Sequence, residues 1–144
     1  QAVALPARPP DRGILLEDFD SEVGEGGFVD AASDVAELGS AIARALRTLL
    51  TNRGADTALG SKLPHLLRGA GFVDVGADAY KVIEHGNVPR DLVRANVIQV
   101  RDELVGRGLV TEADLDRYLA RLDDGTRRLT SPTPVSAWWR RPPV

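Results

Sequence analysis

The alternation of apolar and polar positions divides the chain into three strands separated by helices. Three consecutive apolar residues followed by acids predict a buried strand over Ile14–Asp20, "ILLEDFD". A second strand is predicted over Phe72–Glu84, with a weak centre at Gly76. A third is predicted over Thr133–Arg140, with prolines at its ends. Strands separated by helices indicate a layered α/β fold.

Apolar residues at helical spacing predict two helices between the first and second strands. The first is expected over Asp34–Arg53, with Asp34 and Glu37 as a capping box and Gly54 as its stop. The second is expected over Gly60–Phe72, "GSKLPHLLRGAGF", with Pro64 in its first turn and Gly71 at its end. Its buried side is predicted to comprise Leu63, Leu66, Leu67 and Ala70.

Two more helices are predicted between the second and third strands. The first of them opens at Pro89 and closes near Gly106 or Gly108. The other is capped by Thr111 with Asp114. Its predicted buried stripe is Leu115, Tyr118, Leu119 and Leu122.

Composition narrows the classes of protein to consider. A length of 144 residues suits one domain, and the absence of Cys excludes disulfides, thiolate nucleophiles and Cys-based metal sites. The net charge of −3 argues against nucleic-acid binding, and no apolar run approaches the length of a membrane span. Without a signal peptide pattern, a cytoplasmic location is expected. Because the chain begins with Gln1 rather than Met, we expect it to be a piece of something longer.

The stretch "SEVGEGG", Ser21–Gly27, imitates a nucleotide-binding glycine loop. Such a loop needs its first glycine directly after a buried strand and a helix directly after its last glycine. Here acids separate the apolar strand from the glycines, so a loop without a cofactor role is the favoured interpretation. The two histidines, His65 and His85, lack the further ligands of a zinc site, and no metal site is predicted.

The acidic end of the first strand is the strongest candidate for a functional site. Ligands of open α/β sheets bind beyond the carboxyl ends of the strands, where Glu17 and Asp18 are placed for substrate contact or proton abstraction. The alternative is a solvated strand end, with Asp20 starting a turn. Phe19 and one tryptophan, for which we choose Trp138, are predicted to form an apolar wall beside the acids. No catalytic residue is assigned.

The order of four segments resembles the C-terminal half of class I S-adenosylmethionine-dependent methyltransferases, closest to the bacterial small-molecule branch. The segments are "PPDRGILLEDFD", "LGSKLPHLLRGAGFVDV", "LVTEADLDRYLARLDD" and "SPTPVSAWWRRP". The proline turn before the first strand departs from the usual "PGG" form of the family.

The resemblance implies one partial domain over residues 1–144, the C-terminal half of a Rossmann-like methyltransferase sheet. The last of its three strands would lie antiparallel between the other two, and the helices around Asp34–Arg53 and Pro89–Asp124 would be insertions over the substrate pocket. The cofactor half would lie upstream, so the resemblance assigns no cofactor-binding residue here. The complete enzyme would move a methyl group from S-adenosylmethionine to a small molecule, and the isolated chain is expected to be inactive.

Two alternatives stay open at the level of the sequence. The first is a non-catalytic dimerisation or partner-binding module derived from the same fold. The second concerns the protein partner, which is either a second copy of the chain or the missing N-terminal half. The expected small partner is the methyl acceptor.

Overall fold

The computed structural model describes residues 13–29, 32–84, 87–123 and 128–140. These residues form a mixed α/β fold of four helices and six strands. In chain order the elements are β1 (Gly13–Asp20), β2 (Gly27–Val29), α1 (Ser33–Asn52), α2 (Leu59–Gly69), β3 (Val73–Ala79), β4 (Ile83–Glu84), α3 (Asn87–Gly106), α4 (Glu112–Leu122), β5 (Arg128–Thr130) and β6 (Thr133–Arg140).

The main sheet has the strand order β1-β6-β3, and its last strand in sequence lies in the middle. β6 pairs antiparallel with β1 and with β3, so β1 and β3 run in the same direction without touching. The predicted central, antiparallel position of Thr133–Arg140 is therefore confirmed. The described residues form no pair of adjacent parallel strands, so a complete Rossmann sheet is not present within them.

Helix α2 covers one face of the main sheet. Leu63 and Leu67 pack on Ala137 of β6, as their spacing predicts. The helix begins at Leu59, one residue before the predicted start, and the prediction that Pro64 lies in its first turn is wrong because Pro64 lies further inside the helix. Leu66 and Ala70 are exposed, because the sheet beneath the helix is only three strands wide and supports a narrow apolar stripe.

A second, small sheet extends the main one and was not predicted. Its strand order is β2-β5-β4. Along the chain, β1 is followed by β2, β5 by β6 and β3 by β4, so each strand of the small sheet adjoins its counterpart in the main sheet and the two orders match. The strand predicted over Phe72–Glu84 is thus two strands with a break at Tyr80–Val82. Strands of two or three residues carry too few positions for an alternating pattern to be recognised.

The other three helices pack together against the small sheet in a core of their own. Its fully buried members include Ile42 and Leu49 of α1, Leu104 of α3 and Leu115 of α4. All four residues of the predicted α4 stripe are buried, and the hydroxyl of Thr111 accepts the N–H of Asp114 at 3.1 Å, as predicted. The capping box predicted at Asp34 is wrong, because α1 begins one residue earlier, at Ser33, with no side-chain cap.

Candidate functional site

The strand register brings three of the four predicted site residues to one face of the main sheet. Cα pairing sets Leu15 opposite Trp138, Glu17 opposite Ser136 and Phe19 opposite Pro134, on the side away from α2. We call the surface formed by Leu15, Glu17, Phe19, Ser136 and Trp138 the open face. Within the described ranges no helix covers it, and Leu15 and Phe19 are 61% and 53% exposed. The prediction that the first strand is buried is therefore wrong: of the described helices only α2 packs on β1, and it covers one face.

Asp18 is the predicted site residue that the structure does not bring to the open face. It pairs with Val135, which is buried on the side of α2, and its Oδ1 accepts the N–H of Phe19 at 2.7 Å. Because successive residues of a strand point to opposite faces, Glu17 and Asp18 cannot line the same side of the sheet.

Glu17 is the polar centre of the open face. Its Oε2 accepts the hydroxyl of Tyr80 at 2.8 Å and also the hydroxyl of Ser136 on the neighbouring strand. The hydrogen bonds from Ser136 and Tyr80 hold the pKa of Glu17 below its ordinary value, while the bond to Glu17 raises the pKa of Tyr80. A carboxylate stabilised in this way is a weak proton acceptor, so its arrangement suits binding better than proton abstraction.

Trp138 lies across the sheet against a glycine. A Cβ built on Gly76 of β3 would meet the indole ring at 2.6 Å, so the absence of a side chain there makes room for the ring. The pairing of β3 with β6 is irregular between Val73 and Gly76, where Asp74 has a φ of 52°. This β-bulge lies next to Gly76, where the sequence predicts a weak centre of the strand.

The glycine loop after β1 packs against protein rather than forming an empty cradle. The carbonyl of Gly24 accepts the N–H of Thr133 at 2.9 Å. A Cβ on Gly24 would lie 2.5 Å from Oγ1 of Thr133, and one on Gly26 would lie 2.7 Å from the carbonyl oxygen of Thr130. The glycines allow the loop to cross the break between the two sheets, and the prediction that "SEVGEGG" is not a cofactor loop fits this packing.

Asp20, the last residue of β1, starts a turn, as the alternative interpretation of this strand end predicts, but its burial was not predicted. It is fully buried, and its carboxylate accepts the N–H groups of Glu22 at 2.9 Å, Val23 at 3.0 Å and Ser61 at 2.9 Å. The first two bonds close the turn after β1, and the third satisfies an N–H in the first turn of α2. The carboxylate thus joins the strand, the loop and the helix.

A polar cavity of about 550 Å³ lies beside this turn. We call it the threonine groove; it is lined by Glu22, Arg47, Thr48, Thr51, Asn52 and Thr57. Arg47 of α1 pairs with Glu25 at 2.7 Å. No sequence pattern indicates the groove, because the loop, α1 and the α1–α2 connection meet only in the folded chain.

Neither histidine contributes to a site in the described structure. His65 is exposed on α2, and His85 lies outside the described residues. Within the described ranges, no group of side chains is arranged to hold a metal ion. None of the described helices is both long enough and apolar enough to cross a membrane.

No protein-family model matches the chain. A search of curated proteins likewise finds no significant match.

Proposed function

We propose that the chain is the substrate-side, C-terminal part of an S-adenosylmethionine-dependent methyltransferase that acts on a small molecule. The observation that carries the proposal is the position of β6. It lies antiparallel between β1 and β3, which run in the same direction, and this is the arrangement that the resemblance to class I methyltransferases implies.

The placement of the inserted helices also supports the proposal. Helices α1, α3 and α4 share one core with the small sheet, which extends the main sheet beyond the carboxyl ends of β1 and β3. That end is where open α/β sheets bind their ligands. By the resemblance, such insertions decide which substrate is accepted.

The roles that we propose for the open face follow from its chemistry. Glu17 accepts hydrogen bonds from Tyr80 and Ser136 and keeps its negative charge, so it can bind a donor group of the acceptor molecule. Phe19 and Trp138 offer apolar surface that orients the rest of the molecule and excludes water. Asp18 lies on the opposite face, and no role in contacting the acceptor is proposed for it.

The cofactor would be held by residues outside this chain. Methyl transfer from S-adenosylmethionine is the chemistry that the cofactor supplies when it is bound. The one glycine-rich loop of the chain does not fit it, because Thr133 and Thr130 occupy the space beside Gly24 and Gly26. No cofactor-binding residue is therefore assigned.

The test is methyl transfer by the protein translated from the complete gene. Tritium should pass from S-adenosyl-[methyl-³H]methionine into members of a panel of small molecules. Glu17→Gln should lower kcat/KM roughly tenfold through loss of a charged acceptor. Asp91→Asn, which removes an exposed carboxylate on α3, is the matched control and should leave transfer unchanged.

The alternative, a non-catalytic dimerisation or partner-binding module, is favoured by one observation: the open face exposes Leu15 and Phe19. Failure of the complete protein to transfer tritium to any acceptor, together with a stable complex formed through these residues, would replace the methyltransferase proposal.

A further inference from the structure

The threonine groove differs from an ordinary ligand pocket because all six of its lining residues are polar. Small-molecule pockets are lined mainly by apolar side chains, with a few polar groups for orientation. An open groove of about 550 Å³ lined by polar residues suits a molecule that carries several hydrogen-bonding groups.

The floor of the groove is held in place by contacts across the fold. Arg47 pairs with Glu25 and reaches the carbonyl oxygen of Ser21 at 3.4 Å. The N–H of Ser21 donates to the carbonyl of Thr57 at 2.9 Å, which ties the turn after β1 to the α1–α2 connection. A rigid floor lowers the entropy cost of binding.

Several polar side chains on the walls are available to a ligand. Within the described part of the chain, the side chains of Thr51, Asn52 and Thr57 form no hydrogen bond with protein groups. Two hydroxyls and one amide therefore offer both donors and acceptors around the groove.

The charge of the groove favours a cation. Arg47 is neutralised by Glu25, and nearby Lys62 is paired with Asp56 at 2.6 Å. Glu22 is exposed and forms no ion pair within the described ranges. It lines the groove together with the last turn of α1, and Arg53, which caps that end of the helix, is paired with Glu103. The helix dipole adds partial negative charge at that end.

We propose that the threonine groove binds a polyhydroxylated ammonium compound of the amino-sugar class. The ammonium group pairs with Glu22, and the hydroxyls bind Thr51, Asn52 and Thr57. This binding site is independent of the methyl transfer proposed above, and its test does not require a cofactor.

The experiment follows amide shifts of the ¹⁵N-labelled 144-residue chain during titration with D-glucosamine and, separately, with D-glucose. Glucosamine should shift the amides of Glu22, Thr51, Asn52 and Thr57 saturably. Glucose, which lacks the ammonium group, should bind roughly tenfold more weakly. No saturable shift with glucosamine, or equal affinity for both sugars, would overturn the proposal.

Two variants distinguish recognition of the ammonium group by Glu22 from recognition of the hydroxyl groups by Thr51. Glu22→Gln should reduce the affinity for glucosamine to that for glucose, whereas Thr51→Val should reduce the affinity for both sugars. Glu37→Gln, the same change at an exposed position near the other end of α1, is the control and should alter neither affinity. Amide shifts outside the groove report whether each variant keeps its fold. Unchanged glucosamine affinity in both groove variants would contradict the proposed site.

Discussion

Asp20 holds three backbone N–H groups at the point where β1 ends. Replacing it with Ala leaves these donors without their acceptor in a buried place, so Asp20→Ala should lower the free energy of unfolding by about 3 kcal/mol. Asp20→Asn keeps one acceptor oxygen and should lower the free energy of unfolding by a smaller amount. Denaturant unfolding measures both, with exposed Asp78→Ala as the control. Equal stability of Asp20→Ala and Asp78→Ala would contradict the role given to Asp20.

The same carboxylate makes stability depend on pH. Burial by itself raises the pKa of Asp20, but hydrogen bonds from Ser61, Val23 and Glu22 outweigh it and bring the pKa below the ordinary value of 3.8. As the pH falls, the unfolded chain therefore protonates Asp20 at a higher pH than the folded chain does. The stabilisation by Asp20 is fully present above the ordinary pKa of 3.8 and is lost as the pH falls through the lower pKa of the folded chain.

The acid dependence is checked by comparing the wild-type chain with Asp20→Asn. The stability difference between them should be larger at about pH 6 than at about pH 3, because the variant has no proton to take up at this position. A difference that stays constant over this range would show that Asp20 has the same pKa in the folded and unfolded chains.

At the scale of elements, the contact between β3 and β6 depends on Gly76. Gly76→Ala places a Cβ where the Trp138 ring lies, so the ring must move and stability should fall by about 2 kcal/mol. Gly69→Ala, in α2 with open space around it, should be neutral or stabilising. Thermal unfolding compares the two. If Trp138→Leu did not relieve the cost of Gly76→Ala, the steric explanation would fail.

Helices and long strands were predictable from periodicity, whereas their junctions were not. The α4 stripe was correct because its apolar residues recur at helical spacing. Pro64 was wrongly placed in the first turn of α2, because the actual first turn at Leu59 carries no cap that the sequence reveals. β2 and β5 were missed because pairing, rather than alternation, makes them strands, and β4 was predicted only as a continuation of β3.

The candidate site was predictable only where local geometry defines it. Period-two alternation already places Glu17 and Phe19 on one face and Asp18 on the other, and applying it strictly would have removed Asp18 from the site. The partners of Glu17, Tyr80 and Ser136, lie 63 and 119 residues away along the chain. Such contacts depend on the strand order, which periodicity alone does not give.

At the scale of the whole molecule, β1 is an edge strand of the described main sheet, and the open face beside it exposes apolar side chains. Exposed edges and apolar faces promote association. The apparent molecular mass of the isolated chain in light scattering should therefore increase with its concentration. Leu15→Lys combined with Phe19→Lys should restore a monomer. Leu92→Lys is a matched control, because Leu92 is 62% exposed, like Leu15 at 61%, but lies on α3. A wild-type monomer at every concentration would contradict this prediction.

Calorimetric titration with S-adenosylmethionine tests the proposed function most directly when the 144-residue chain and the protein translated from the complete gene are compared. We predict no measurable binding to the chain alone, since Gly24 and Gly26 pack against protein and no other loop of the chain is assigned to the cofactor. The complete protein should bind with micromolar affinity. Micromolar binding to the chain alone would contradict its assignment as the substrate-side part, and absence of binding to both proteins would contradict the methyltransferase proposal itself.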